Sequence, residues 1–126
     1  MADANEHVLR VLVADDAAII RLVVGQLLAG CGCEVVAEAS TGRGAVEAYR
    51  EHRPDVSLID LNMPDGDGTS AAASIREIEA GAPIILASVF VADERLERWG
   101  SLSRVHVLEK PFAAETVRDA LARVAA

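Results

Sequence analysis

Five polar residues end or follow short apolar runs of the sequence, and their types suit phosphoryl chemistry. Asp15 and Asp16 follow one run, Asp60 ends another, Ser88 lies near the end of a third, and Lys110 follows a fourth. Neighbouring carboxylates raise one another's pKa unless a cation relieves the repulsion, and a hard ion such as Mg²⁺ takes oxygen ligands. A carboxylate can also attack a phosphoryl group and hold it as an acyl phosphate. These residue types therefore indicate a phosphoryl site with a divalent metal, provided that the fold brings them together.

The apolar runs alternate with helical patterns along the chain. The β-rich runs span residues 8–14, 34–39, 56–60, 84–90 and 105–109. Between and after them, helical patterns cover residues 19–31, 45–49, 69–80 and 92–99, and a last one includes residues 112–124. Such alternation predicts an α/β fold with a parallel sheet covered on both faces, and right-handed crossovers make it doubly wound. Ligands bind such sheets at the carboxyl ends of the strands, which is where the five polar residues fall.

Composition and charge narrow the classes of function. The 126 residues fit one domain, and the net charge of −8 argues against direct binding of nucleic acid. No apolar run is long enough to span a membrane, and the first seven residues lack a signal-peptide core. Cys31 and Cys33 are interpreted as free thiols in a reducing compartment, with a redox or metal role as the alternative. We therefore expect a cytoplasmic protein that neither enters a membrane nor contacts nucleic acid.

Four segments together resemble a known family. They are "VLVADDAAIIR", "DLNMPDGDG", the strand that carries Ser88, and "EKPF". As a set they are similar to the receiver domain of two-component response regulators, in particular single-domain members such as the chemotaxis response regulator. The resemblance covers roughly residues 9–124. It implies that residues 1–126 form a single receiver domain with a flavodoxin-like (βα)₅ sandwich, a five-stranded parallel sheet and the strand order 2-1-3-4-5.

The resemblance implies a metal site around a phosphoacceptor. Asp60 matches the family's phosphorylated aspartate. Asp15 and Asp16 match the acidic pair around Mg²⁺, with Asp16 as a direct ligand and Asp15 acting largely through water. Asp60 itself and the backbone carbonyl of Asn62 complete the expected ligand set. The implied cofactor is Mg²⁺.

The resemblance also implies a switch and its partners. Ser88 fills the position of the hydroxyl that senses phosphorylation, Lys110 fills the lysine position, and the peptide bond before Pro111 is expected to be cis. A sensor histidine kinase or phosphotransfer protein would donate the phosphoryl group. The face formed by the fourth helix, strand five and the fifth helix would then repack and control an unidentified target protein. The chain is thus expected to be a signalling switch and not an enzyme.

Two features of the switch region depart from the family's pattern. Val107 lies where the family usually has an aromatic residue on strand five. Either the neighbouring His106 takes over that role, or the switch works without an aromatic ring. The alternative for His106 is that it is a solvent-facing residue at the edge of the sheet. The segment "VADERLERWGSLSRVHV" predicts a short or mobile fourth helix. Trp99 is expected to fill the core, with a place on a partner surface as the alternative.

Other functions remain open at this point. A pseudo-receiver would keep the fold and act as an interaction module without phosphorylation. A metal-dependent phosphohydrolase would need an Asp-x-Asp motif after strand one, which Asp15-Asp16-Ala17 does not match. The chain is expected to be a natural single-domain protein, although a receiver cut from a longer regulator would look the same. Asp65 and Asp67 are expected to be solvated turn residues and not metal ligands.

Overall fold

Five parallel strands form one sheet in the order β2-β1-β3-β4-β5. The structure is a computed structural model that describes residues 8–125. Its strands are β1 (Leu9–Ala14), β2 (Cys33–Ala39), β3 (Val56–Asp60), β4 (Ile84–Ser88) and β5 (Val105–Glu109). The strand order reverses at β1, which pairs with β2 on one side and with β3 on the other. The predicted flavodoxin-like, doubly wound sheet and its strand order are confirmed.

Within residues 8–125, four α-helices cover the two faces of the sheet. They are α1 (Ala18–Gly30), α2 (Gly42–His52), α3 (Gly68–Ile78) and α4 (Ala114–Ala125). Successive residues of a strand point to opposite faces. In β1, Val11 and Val13 therefore enter the core under α1 and α4, whereas Leu12 and Ala14 enter the core under α2 and α3. Among residues 8–125, no helix has the length and apolar character that a membrane span requires.

The apolar stripe of α1 is wider than its buried face. Val24 and Leu28 are fully buried, but Ile19, Leu22 and Val23 remain exposed near the start of the helix. Because α1 follows directly after β1, its first turns lie at the carboxyl edge of the sheet. A patch of apolar surface is thus available beside the predicted site.

The segment between β4 and β5, called here the β4–β5 segment (residues 89–104), contains no α-helix. The short fourth helix expected over residues 92–99 is instead two single turns of 3₁₀ helix, Glu94–Leu96 and Trp99–Ser101. Leu96 and Trp99 are three residues apart, which is one turn of a 3₁₀ helix, and both are buried in the core. Gly100 then weakens any continuation as an α-helix. The expectation that Trp99 fills the core is correct for this structure.

The ends of the predicted elements shift slightly. β4 ends at Ser88 rather than at residue 90, because Val89 and Phe90 turn out into solvent, where they are 68% and 61% exposed. Phe112 precedes α4 instead of lying within it. Cys31 and Cys33 carry free thiols, as predicted.

Candidate functional site

The sheet ladder continues past the ends of three strands and fixes the backbone of the site. These bonds run from Asp15 N to Ala39 O at 3.0 Å, from Leu61 N to Ala87 O at 2.8 Å, and from Lys110 N to Ser88 O at 2.9 Å. Each bond attaches the start of a loop to the neighbouring strand. The polar residues at these positions are therefore held at fixed places along one edge of the sheet.

Three carboxylates meet at this edge. Carboxylate oxygens of Asp15, Asp16 and Asp60 all lie within 4.8 Å of one another. Asp15 and Asp60 are only 4% and 5% exposed, whereas Asp16 is exposed. Three oxygen donors at this spacing form a group that could hold a metal ion, and the sequence predicted each of them.

Lys110 reaches into the cluster from the loop after β5. Its Nζ lies 2.8 Å from Asp15 Oδ2 and 3.0 Å from Asp60 Oδ1, and its side chain is mostly buried. The other oxygen of Asp15 accepts a hydrogen bond from Ala17 N at 2.9 Å, which orients that carboxylate. One ammonium thus faces three carboxylates, and the cluster keeps an excess of negative charge.

The pKa values of Asp60 and Lys110 reflect their burial and the charges around them. Burial raises the pKa of Asp60, and the nearby Asp15 and Asp16 raise it further against the opposing effect of Lys110. Burial alone would lower the pKa of Lys110, but its bonds to Asp15 and Asp60 outweigh this and raise it. The two directions are compatible, because Lys110 has two carboxylate partners while Asp60 also faces two like charges. The ionised form of Asp60 is therefore unfavourable in the folded protein, and an additional cation would stabilise it.

Gly68 lets α3 start close to Asp60. A Cβ at Gly68 would overlap the carbonyl oxygen of Asp60 and lie 2.8 Å from the Cα of Leu61. Gly68 N donates to Leu61 O at 2.8 Å, so the first turn of α3 binds the backbone just after Asp60. Asp67 caps the helix by accepting from Ser70 N at 3.0 Å.

Ser88 and Pro111 lie where the sequence predicted. Ser88 is buried at the end of β4, and its hydroxyl donates to Phe90 O and accepts from Phe90 N, both at 3.1 Å. The Lys110–Pro111 peptide bond is cis. The Ser88 hydroxyl is thus bound to its own loop and does not bond with the acidic cluster.

The side chain of Asn62 points to the β4–β5 segment. Its Oδ1 accepts a hydrogen bond from Arg95 Nη2 at 2.8 Å, and Arg95 Nη1 also pairs with Asp67 at 3.3 Å. Asp65 pairs with Arg43 at 3.4 Å at the surface. Neither Asp65 nor Asp67 belongs to the acidic cluster. Asp65 is an exposed turn residue, as expected, whereas Asp67 is not a solvated turn residue but the partly buried N-cap of α3.

His106 and Val107 lie on opposite faces of β5. Val107 is partly buried against the core under α2 and α3. His106 is half-buried and feels the charges of Arg123 and Asp119 on α4; its pKa is lowered, mainly by burial. Neither residue belongs to the acidic cluster, so a switch role for either stays a prediction.

Two arginines that contact the site loops have roles that the sequence did not reveal. Arg21 donates from Nη1 to the carbonyl of Asp15 and from Nε to Glu38 at 2.8 Å. Arg95 contacts Asn62 across a separation of 33 residues. No local sequence pattern signals a contact between residues so far apart along the chain.

Comparison of the sequence with known protein families assigns the chain to a family. The model of the response regulator receiver domain matches residues 11–122. The chain belongs to this family. The receiver domain is 38% identical over 112 residues to the chemotaxis protein CheY of Bacillus subtilis, a match that covers 89% of this chain and 93% of that protein. The family assignment agrees with the resemblance seen in the sequence.

Solved receiver structures share the fold. Chemotaxis protein CheY4 of Vibrio cholerae matches with a TM-score of 0.81 and 29% identity, over 94% of this chain and 99% of that one. The receiver domain of the sensor histidine kinase PA1611 from Pseudomonas aeruginosa matches with a TM-score of 0.80 and 25% identity, over 95% of this chain and all of that one. That structure contains a magnesium ion coordinated in its active-site cleft.

Proposed function

We propose that this receiver domain, residues 1–126 acting as one unit, is a phosphorylation-dependent switch that accepts a phosphoryl group on Asp60 with Mg²⁺. One observation carries the proposal: the Asp60 carboxylate lies at the edge of the sheet, within 4.8 Å of the Asp15 and Asp16 carboxylates and 3.0 Å from the Lys110 ammonium. In this arrangement a nucleophile, a set of metal ligands and a fixed cation converge. The domain acts by changing its surface for a partner and not as an enzyme.

The donor set fits Mg²⁺. Three carboxylates offer hard oxygen ligands, two of them from buried side chains, and Lys110 neutralises only part of their charge. Magnesium prefers one or two carboxylates and keeps several waters, and the exposed position of Asp16 leaves room for water on one side. Asp15, Asp16, Asp60 and the backbone carbonyl of Asn62 would hold the ion. When bound there, Mg²⁺ supplies charge neutralisation at the phosphoryl oxygens.

Asp60 and Lys110 have different roles in phosphoryl transfer. An oxygen of Asp60 forms the new bond to phosphorus while the bond to the donor breaks. If the donor is a phosphohistidine, its imidazole nitrogen keeps the bonding electron pair and takes up a proton. The Lys110 ammonium, already 3.0 Å from Asp60, is placed to pair with a phosphoryl oxygen. Phosphoryl transfer of this kind depends mainly on positioning and charge stabilisation.

An apolar surface beside the site supports docking of a donor protein. A groove of about 330 Å³ adjoins Lys110 and is lined by apolar side chains that include Ile20, Val23, Val89 and Phe112. Exposed apolar area on α1 borders this groove. Contiguous exposed apolar surface commonly marks a protein interaction site. We therefore assign the groove to the sensor histidine kinase or phosphotransfer protein that delivers the phosphoryl group in the cytoplasm.

Ser88 connects the phosphoryl group to the β4–β5 segment. Its hydroxyl now bonds to Phe90 at 3.1 Å. A phosphoryl group on Asp60 offers a charged acceptor, which forms stronger hydrogen bonds than a neutral carbonyl. In the phosphorylated state Ser88 turns toward that acceptor, gives up its bonds to Phe90 and releases the start of the segment. The surface formed by this segment, β5 and α4 then changes for a target protein.

A pseudo-receiver remains the second candidate, because Val107 takes the place of the strand-five aromatic. The domain would then keep its fold and bind a partner without phosphorylation. The two functions differ in one measurable property. A pseudo-receiver does not bind beryllofluoride, which mimics a phosphoryl group, together with Mg²⁺ at Asp60.

A binding experiment separates the two candidates. Mg²⁺ is titrated into the protein by calorimetry, and beryllofluoride binding is followed by ¹⁹F NMR. Wild type should bind both, and Asp60→Asn should lose beryllofluoride and bind Mg²⁺ more weakly. Asp65→Asn is the matched control, since it removes a negative charge from the same loop outside the cluster. Unchanged beryllofluoride binding in Asp60→Asn, or none in the wild type, would overturn the proposal.

A further inference from the structure

One guanidinium group bridges the phosphoacceptor loop and the β4–β5 segment. Arg95 lies in the first 3₁₀ turn of that segment. Its Nη2 donates to Asn62 Oδ1 at 2.8 Å, and its Nη1 donates to Asp67 Oδ2 at 3.3 Å. Asn62 and Asp67 both belong to the loop that joins β3 to α3. Arg95 therefore ties the backbone just after Asp60 to the segment that follows Ser88.

Both ends of this bridge are anchored. On the segment side, Asp93 accepts from Arg95 Nε at 3.1 Å and from Nη2 at 2.9 Å, and Arg95 lowers the pKa of Asp93 to about 2. Asp93 also accepts from Arg95 N at 2.9 Å, which caps the 3₁₀ turn. On the loop side, Asp67 accepts from Thr69 and Ser70 as the N-cap of α3. The bridge thus links the capped start of α3 to the capped 3₁₀ turn.

The bridge is poorly suited to be a source of stability. The Arg95 side chain is 39% exposed, and ion pairs at that exposure contribute little to the free energy of unfolding. The packing of the β4–β5 segment comes instead from Leu96 and Trp99, which are buried. A bridge that adds little stability but joins two functional loops fits a role in coupling.

The segment is attached to the site at two points. Ser88 bonds to Phe90 at the start of the segment, and Arg95 bonds to Asn62 in its middle. In the proposed function the Ser88 hydroxyl turns to the phosphoryl group and the backbone carbonyl of Asn62 holds the metal, so both attachments lie next to groups that phosphorylation changes. The Arg95 bridge uses the side-chain Oδ1 of the same Asn62. A local charge change at this loop could therefore act on the bridge and shift the population of the segment.

We propose that Arg95 is the positioning residue that couples the phosphorylation state of Asp60 to the β4–β5 segment through Asn62. It thereby serves the switch in which Val107 replaces an aromatic residue. The inference rests on the proposed function, since it requires that Asp60 binds a phosphoryl group. It adds to that function a polar route by which the site reaches the segment.

Trp99 provides a reporter for this coupling. It is the sole tryptophan of the chain, it is buried, and it lies four residues after Arg95 in the same segment. Its fluorescence is recorded without ligand and with saturating Mg²⁺ and beryllofluoride. Occupancy at Asp60 is measured separately by ¹⁹F NMR, so that binding and coupling are distinguished.

Two substitutions, their double variant and one control test the route. Arg95→Gln removes the positive charge and most of the guanidinium donors. Asn62→Ala removes the side-chain oxygen that accepts from Arg95 and keeps the backbone carbonyl. The double variant combines the two substitutions. Arg98→Gln is the matched control, an exposed arginine of the same segment without a side-chain bond to the phosphoacceptor loop among residues 8–125. Thermal unfolding of each variant establishes that it is folded.

The expected result is a loss of the Trp99 response, which in Arg95→Gln occurs without a loss of beryllofluoride binding. In Arg95→Gln and Asn62→Ala the Trp99 change should fall below about half of the wild-type change, and the double variant should fall no further than either single variant. Arg98→Gln should respond like the wild type. Full response in Arg95→Gln, or no Trp99 response in a wild type that binds beryllofluoride, overturns the coupling but leaves the proposed function. Absence of beryllofluoride binding in the wild type overturns both.

Discussion

Replacing Asp60 by Asn should make the metal-free protein more stable at neutral pH. Asp60 is 5% exposed and its carboxylate faces two further carboxylates. Burial and this repulsion raise its pKa despite Lys110. An aspartate whose pKa is higher in the folded than in the unfolded state lowers stability once both states are ionised. The amide of Asn is neutral and nearly the same shape, so the variant removes that cost.

The size of the effect follows from the pKa and from what Lys110 loses. Each unit by which folding raises a pKa costs about 1.4 kcal/mol of stability at neutral pH. Lys110 loses its charged partner at 3.0 Å but keeps Asp15 at 2.8 Å, which offsets part of the gain. We expect a net gain of about 1 kcal/mol, the usual size of a single-substitution effect, or an increase in Tm of about 3–6 °C for a chain of this size.

The direction of the Asp60 pKa shift also determines how the stability difference depends on pH. The favourable contribution of protonated Asp60 is present below the ordinary aspartate pKa and is lost as the pH rises through the higher folded-state value. The stability difference between Asp60→Asn and the wild type should therefore be large at pH 7 and shrink as the pH falls toward about 4. Mg²⁺ should reverse the order at neutral pH, because it binds the folded wild type more tightly than the variant.

Thermal unfolding in EDTA and in Mg²⁺, recorded from pH 4 to pH 8, measures all three effects. Asp65→Asn is the control for loss of one negative charge, since Asp65 lies at the surface and pairs only loosely with Arg43. The reasoning is refuted if Asp60→Asn is less stable than the wild type at pH 7 in EDTA. It is also refuted if the gain is the same at pH 4 as at pH 7.

Two further substitutions test how the loops around the site are held. Gly42→Ala should lower the free energy of unfolding in urea by more than about 2 kcal/mol, because its Cβ would overlap the carbonyl of Gly66. Gly25→Ala is the control, since a Cβ there makes only one ordinary contact, at 3.9 Å. It should be neutral or stabilise α1 by up to about 1 kcal/mol. A tolerated Gly42→Ala would show that the Gly66 loop yields easily. Arg76→Ala should cost about 2–3 kcal/mol, because Arg76 donates to four carbonyl groups in the turns before β4 and β5; a urea midpoint equal to that of the wild type would contradict this.

The sequence predicted the elements best where buried runs have clear limits. The bounds of β3 and β5 match the predicted residues 56–60 and 105–109, because each run of strand-forming residues is flanked by polar or turn residues. β4 was predicted too long, since Val89 and Phe90 are apolar yet exposed. The sequence alone does not distinguish an apolar residue on an exposed surface from an apolar residue in the core. The exposed start of α1 escaped prediction for this reason.

The candidate site was predictable because its residues directly follow or end strands. Asp15, Asp16, Asp60 and Lys110 occupy positions that a parallel sheet brings to one edge. The bond from Ser88 to Phe90 and the bridge from Arg95 to Asn62 were not predictable. They depend on side-chain rotamers and on the path of the β4–β5 segment, where two 3₁₀ turns replace the expected helix. Neither feature leaves a periodic pattern in the sequence.

The most direct test of the central claim is the intact mass of the protein after incubation with acetyl phosphate and Mg²⁺. The account predicts that wild type and Asp65→Asn gain one phosphoryl group, that Asp60→Asn gains none, and that EDTA prevents the gain in all three. A phosphoryl group retained by Asp60→Asn would contradict the assignment of Asp60 as the phosphoacceptor.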